Sequence, residues 1–224
     1  MTPASWPCPL PAGGFVNELA LCFDRNRAAR LLIVPALFDE GNKLRRVTVE
    51  SMRRLDAAGI DCILPDLPGC NESLQPLDRQ TPEVWRSAMD AAATQFRATH
   101  VVGIRGGCMF TPQGLPGWHY APVKATSILR QMLRARILAS REAGREENRE
   151  DLTRLAREQG IEIAGYPLSP EFWREFEPMI AAQNARVIEQ AEVGGSGLWL
   201  RAEPDEAPEQ ADALAAILTW GVTG

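Results

Sequence analysis

The chain has 224 residues, with 24 Lys or Arg against 29 Asp or Glu and a formal net charge of −5. That acidic balance excludes a dedicated nucleic-acid binder, whose surface would carry a basic surplus. With 45% apolar and 24% charged residues, the composition is that of a folded globular chain long enough to bury a core without staples.

Five cysteines, at 8, 22, 62, 70 and 108, form no disulfide framework. Neither they nor the two histidines show the spacing of a zinc site, and no metal or organic cofactor is implied. Reduced thiols in a cytoplasmic protein are expected, with Cys22 and Cys62 as small core residues. Met1 to Gly14, rich in Pro, Ala and Gly, reads as a loose start that lacks the pattern of a signal peptide. No apolar run approaches the roughly 18 residues of a membrane span.

Phe15 to Phe23 reads as a strand that pairs near a sheet edge, and Asp24 to Arg27 as a turn. Arg30 to Leu37 and Ile60 to Leu67 are short continuous apolar runs, the pattern of strands buried on both faces. Between them, Leu44 to Ala58 carries helical spacing and ends at Gly59. Thr81-Pro82-Glu83 opens a second helix running to about Ala98, with a capping residue, an early proline and an early acid. His100 to Ile104 is the third parallel strand and Gly117 to Pro122 a fourth. Strand–helix alternation of this length predicts an α/β fold with a mainly parallel sheet.

Beyond it, Ser127 to Arg141 reads as a basic helix and Arg141 to Gln159 as a solvated helix or lid segment. Alternating arginines and acids over Lys124 to Asp151 fit a solvated face better than a membrane-binding one. Ile161 to Tyr166 and Ala185 to Gln190 are further strand candidates, with a helix around Pro170 to Ala182. Gly197 to Ala202 reads as the last strand and Pro208 to Trp220 as a closing helix. One domain spanning 1–224 is expected, with a small helical insertion at 124–182.

Three loops follow the buried strands and should line one site, because ligands in open α/β sheets bind at the carboxyl ends of the strands. The first runs from Pro35 through Phe38, Asp39, Glu40, Asn42 and Lys43. The second is Asp66-Leu67-Pro68-Gly69-Cys70-Asn71-Glu72-Ser73. The third, Gly103-Ile104-Arg105-Gly106-Gly107, has the small-residue frame of a nucleophile elbow, G-x-S-x-G, but its centre is Arg105.

These motifs, together with Gln131-Met132-Leu133-Arg134-Ala135-Arg136 after Ala121-Pro122 and with Ala164-Gly165-Tyr166-Pro167-Leu168-Ser169, carry a resemblance. The chain resembles α/β-hydrolase-fold proteins. Among them it is similar to the hydrolase-like proteins associated with the exosortase A system, whose genes accompany bacterial exopolysaccharide production. It has Asn71 where that family tends to have Gly. The resemblance implies a three-layer α/β-hydrolase-like sandwich. It also implies a hydrolase or acyltransferase acting on an ester or thioester, with a protein of the polysaccharide machinery as a possible partner.

The residues themselves pull the other way. A triad needs a nucleophile and a base. Arg105 is protonated and has no lone pair to offer, and no histidine follows His119. Cys108 is either a displaced thiolate nucleophile or a buried residue in the following helix. His119 is either a base or a packed core imidazole. Asp66 pairs with Arg105, acts as a base, or fixes its own turn. Arg105, with Gly106 and a helix N-terminus beside it, either holds an anionic ligand or closes the site in an ion pair with Asp66 or Glu40. Phe38, Asp39, Glu40, Asn42 and Lys43 complete the candidate ligand site for a small anionic or acyl molecule. Two functions therefore stand side by side: an atypical hydrolase with a rearranged site, and a noncatalytic homologue that binds a metabolite or protein.

Overall fold

The computed structural model describes residues 1–183 and 185–224. Its strands are β1 (Thr2–Pro9), β2 (Phe15–Phe23), β3 (Arg30–Val34), β4 (Asp61–Pro65), β5 (His100–Ile104), β6 (Gly117–Tyr120), β7 (Ile161–Ile163), β8 (Tyr166–Leu168) and β9 (Arg186–Ile188). Its helices are α1 (Phe38–Ala57), α2 (Pro82–Gln95), α3 (Ala125–Glu142), α4 (Arg149–Gln159), α5 (Pro170–Phe176), α6 (Gln190–Val193) and α7 (Pro208–Thr223).

Seven strands form one sheet in the order β1-β2-β4-β3-β5-β6-β9, antiparallel at β1-β2-β4 and parallel from β4 to β9. β3 and β4 are buried along their whole length, as their apolar runs predict. The two polar residues that open them, Arg30 and Asp61, neutralise each other at 2.9 Å in the sheet interior. The core lies on both faces of the sheet. One layer packs Trp6, Leu32, Ile63, Trp85 and Phe110 against α2, α3 and α5. The other packs Leu31, Ile33, Leu64 and Val102 against α1 and α7.

The N-terminal stretch is not loose. Thr2 to Pro9 pairs residue for residue with Phe15 to Cys22, and alternation buries Trp6 and Cys8 while Pro3 and Pro9 lie outside the core. Prolines are tolerated because β1 is the edge strand. β2 is therefore the second strand of the sheet, inside the edge. Ile161 to Leu168 splits into the hairpin β7–β8, whose two turn residues, Ala164 and Gly165, both have positive φ (51° and 81°). Gly197 to Ala202 holds a 3-10 turn at Leu198–Leu200 instead of a last strand. The elements α3, α4, β7, β8 and α5 lie between β6 and β9.

Candidate functional site

β5 runs straight into a 3-10 turn over Arg105–Phe110, and Arg105 takes φ +53° at the junction. A non-glycine residue there is strained, as the centre of a nucleophile elbow is. The flanking glycines are needed sterically. A Cβ on Gly103 would lie 2.6 Å from the Cys108 Cα, and one on Gly107 2.2 Å from the Pro35 carbonyl oxygen. Two neighbouring non-glycine residues, Phe38 (φ 53°) and Ala121 (φ 45°), also have positive φ. The elbow geometry is thus kept, but with arginine at its centre. The expected following helix is this single short 3-10 segment, and the helix that begins at the site is α1, whose first turn carries Asp39 and Glu40.

Arg105 is engaged on three sides. Its Nε and Nη2 donate to the two carboxylate oxygens of Glu40 at 3.1 and 2.9 Å. Nη1 donates to the Ala121 carbonyl at 2.8 Å. Trp199 covers the guanidinium face, 3.9 Å from ring centroid to Cζ. The Arg105 and Glu40 side chains are only 11% and 6% exposed. A bidentate, stacked guanidinium is held in one geometry. Three of the five guanidinium N–H groups are thereby committed. Gly106 is packed beneath: a Cβ there would lie 2.8 Å from the Leu37 and Ile128 side chains.

Asp66 does not meet Arg105. Its Oδ1 accepts from Arg45 Nη1 and from Asn71 Nδ2, each at 2.9 Å. Three more bonds hold the same loop. Ser73 Oγ donates to Glu18 at 2.8 Å, Gly69 N–H donates to Ser73 Oγ at 2.9 Å, and Trp85 Nε1–H donates to the Pro68 carbonyl at 2.9 Å. The loop from Asp66 to Ser73 is a latch that ties β4 to β2, α1 and α2. Its Asn71 takes φ 51°, a left-handed conformation that asparagine adopts more readily than most residues. Burial raises the Glu18 carboxyl above the ordinary range, with the Asp66 charge adding to it against the Ser73 hydrogen bond.

Cys108 is 1% exposed, and its thiol donates to the Gly103 carbonyl at 3.1 Å. Burial opposes a thiolate and pushes its pKa far up, although the nearby Arg105 charge lowers it. His119 is also buried, in β6 opposite Gly103. Its Nε2 shares a 3.0 Å hydrogen bond with Thr111 Oγ1, and burial lowers its pKa, so the ring is neutral. Thr111 Oγ1 also reaches the Cys108 carbonyl, at 3.3 Å. Both residues sit below the elbow, packed against the sheet.

Two cavities flank the start of α1. One, of about 380 Å³, lies under α3 and is lined by Phe38, Asp39, Glu40, Asn42, Ile128 and Met132, among others. The second, of about 360 Å³, lies toward the Asp66 loop and includes Arg45, Cys70 and Asn71. Leu37, Phe38, Asn42 and Tyr166 line both. Lys43 lines neither; it bonds Asp39 at 2.7 Å, one helical turn away. Burial raises the Cys70 thiol to about 12, with the Asp66 and Glu18 charges adding to it, so that thiol stays protonated.

Residue-by-residue reading passed over Trp199 and Tyr166. Trp199 carried no signal beyond a lone aromatic after Gly197. Tyr166 did carry one: Ala164-Gly165 before it is a two-residue hairpin turn, which sets Tyr166 against Phe38 at 5.1 Å between ring centroids. Among the described residues no helix is long and apolar enough to cross a membrane, and no three His, Cys, Asp or Glu side chains are grouped to hold a metal.

Solved structures share this architecture along almost the whole chain. Est1E from Butyrivibrio proteoclasticus, solved with ferulic acid bound, is 12% identical, with 92% of each chain covered and a TM-score of 0.53. Mouse alpha/beta hydrolase domain-containing protein 10 is 11% identical over 90% of this chain and 92% of its own, at 0.53. DcsB, in complex with a substrate analogue, is 12% identical over all of both chains, at 0.52. The chain therefore has the α/β-hydrolase fold: a mainly parallel seven-stranded sheet flanked by helices. No protein-family model matches the sequence, and no curated protein matches it.

Proposed function

We propose that this protein is a noncatalytic member of the α/β-hydrolase superfamily that binds a small acyl-bearing ligand beside a closed elbow. One observation carries the reading: the nucleophile position holds Arg105, clamped by both carboxylate oxygens of Glu40. A guanidinium cannot attack a carbonyl, and the charge of this one is already neutralised by Glu40. The neighbouring groups do not replace it. Cys108 is buried and held protonated, and His119 is bonded to Thr111 beneath the turn. The segment after the last strand, where a triad histidine is expected, carries Trp199, which caps the arginine.

What remains is concave, largely apolar space of the size that takes small ligands, bounded by the loop after β3 and by α3. The motif resemblance to exosortase A system-associated proteins supports a setting in exopolysaccharide production, with the ligand or a protein of that machinery as partner. The test is a panel of short and long acyl esters and thioesters, assayed with the wild type beside Arg105→Ala and Cys108→Ala. No turnover above the buffer rate by any of the three is the expected result. Turnover by the wild type that either substitution abolishes would make this an enzyme.

A further inference from the structure

The cavity toward the Asp66 loop, of about 360 Å³, is apolar inside and polar at its mouth. Its Leu37, Leu44, Leu64 and Leu67 are at most 2% exposed, whereas Asn42 and Asn71 are exposed and Arg45 is partly buried. Arg45 spends one N–H, from Nη1, on Asp66 at 2.9 Å. Its Nε–Nη2 edge makes no hydrogen bond among the described residues. That edge is the fork that matches a carboxylate, two parallel donors for two oxygens. The protein uses it so elsewhere: Arg105 grips Glu40, and Arg136 grips Glu147, through Nε and Nη2. Nor does one carboxylate exhaust a guanidinium. Arg30 serves two at once, Asp24 at 2.8 Å and Asp61 at 2.9 Å.

We infer that this cavity binds a short-chain monocarboxylate, with the carboxylate on the Nε–Nη2 edge of Arg45 and the alkyl chain among the leucines. The buried Leu37 and Phe38 divide it from the cavity under α3, so this is a second site and goes beyond the ligand proposed above. The lining sets the class. An alkylamine would bring a second cation to a guanidinium. A neutral amide presents one acceptor where a carboxylate presents two, and hydrogen bonds to an ionised acceptor are about twice as strong. A dicarboxylate would bury its second charge among leucines without a partner. Asp66 already meets the charge of Arg45, which leaves the discrimination to the geometry of the free edge. Lysine cannot reproduce that geometry.

Calorimetric titration of the whole protein tests this with propanoate and hexanoate, beside hexanamide and hexylamine. Each buried methylene should tighten binding by about fourfold, so hexanoate should bind roughly sixtyfold more tightly than propanoate. Hexanamide and hexylamine should bind at least about tenfold more weakly than hexanoate. Arg45→Lys keeps a cation for Asp66 but loses the fork. It should weaken hexanoate at least about tenfold and leave hexanamide within about twofold. Asn42→Asp, at an exposed position one turn before Arg45 on α1, sets an acid beside the free edge and should weaken hexanoate by a similar factor with the fold intact. Ala135→Leu, in the lining of the cavity under α3, should leave hexanoate binding unchanged. Hexanamide or hexylamine binding as tightly as hexanoate would overturn the inference. So would a hexanoate affinity that neither Arg45→Lys nor Asn42→Asp moves. Weakening by Ala135→Leu alone would place the acid under α3, overturning this inference in favour of the ligand proposed above. No binding of hexanoate would overturn the inference and leave that ligand reading standing.

Discussion

At Gly107 a single hydrogen separates a workable elbow from a clash. A methyl group there would lie 2.2 Å from the Pro35 carbonyl, which is backbone at the end of β3 and cannot move aside alone. Gly107→Ala should lower the urea midpoint by an amount equivalent to about 1–3 kcal/mol, the scale of overpacking a closed core. Gly114, which has open space where a Cβ would sit, serves as the control, and Gly114→Ala should shift the midpoint by no more than about 0.5 kcal/mol. Equal shifts for the two would mean that the tight approach of Gly107 to β3 is not maintained in solution. Arg105 adds a second local constraint. Its positive φ is the conformation an elbow demands, and the Glu40 carboxylate, the Ala121 carbonyl and the Trp199 ring hold it there. The strain that in a hydrolase presents a nucleophile here presents a bound cation.

Among the elements, α3 is joined to the connection before α4 by an ionisable contact. Glu147 accepts from Arg136 Nε and Nη2 at 3.1 and 2.7 Å and from Ser140. The Arg136 hydrogen bonds, more than that from Ser140, lower its pKa to about 2 from an ordinary 4.5. A carboxyl with a depressed folded pKa contributes stability that is complete above its unfolded value and is lost as pH falls toward its folded one. Pepsin cleavage in the α3–α4 connection should therefore increase as pH drops from 4.5 to about 2. Glu147→Gln should be cut readily at the upper end already. Indistinguishable cleavage of the two proteins across that window would show that the contact does not hold the connection.

The elements differ in how much of them the sequence showed. β3, β4 and β5 were legible because strands buried on both faces need unbroken apolar runs, and the start of α2 was legible because Thr81 caps it through the Val84 N–H. β1 was not. Three prolines at 3, 7 and 9 read as a loop, whereas an edge strand tolerates them and Trp6 and Cys8 supply the burial. Leu198 to Leu200 looked like a strand because its apolar pattern is too short to separate period 2 from a 3-10 turn. At the site, the elbow frame was readable from Gly103 and Gly107, since only small residues fit there. The choice between Asp66 and Glu40 as the partner of Arg105 was not, because it depends on how far two loops lie apart in space. Nor could a periodicity reveal Trp199, which reaches Arg105 across a sequence gap.

Taken whole, the molecule has the α/β-hydrolase fold, with a tight turn after β5 whose central position is filled by an ion pair. The likeness to Est1E and to the mouse protein extends over nine-tenths of the chain at about 11–12% identity, so what is shared is the architecture. Fold does not carry chemistry where the reacting groups differ. The account stands on the closure of the elbow by Arg105 and Glu40, and a double-mutant cycle in urea tests it most directly. Arg105→Ala and Glu40→Ala should each cost about 3–5 kcal/mol, because each leaves a buried charge without its partner. The double variant should cost about 1–2 kcal/mol more than either alone, giving a coupling of about 2–3 kcal/mol. Single costs below about 0.5 kcal/mol, or strictly additive ones, would contradict the account: the arginine would then be free at the elbow and available to a ligand.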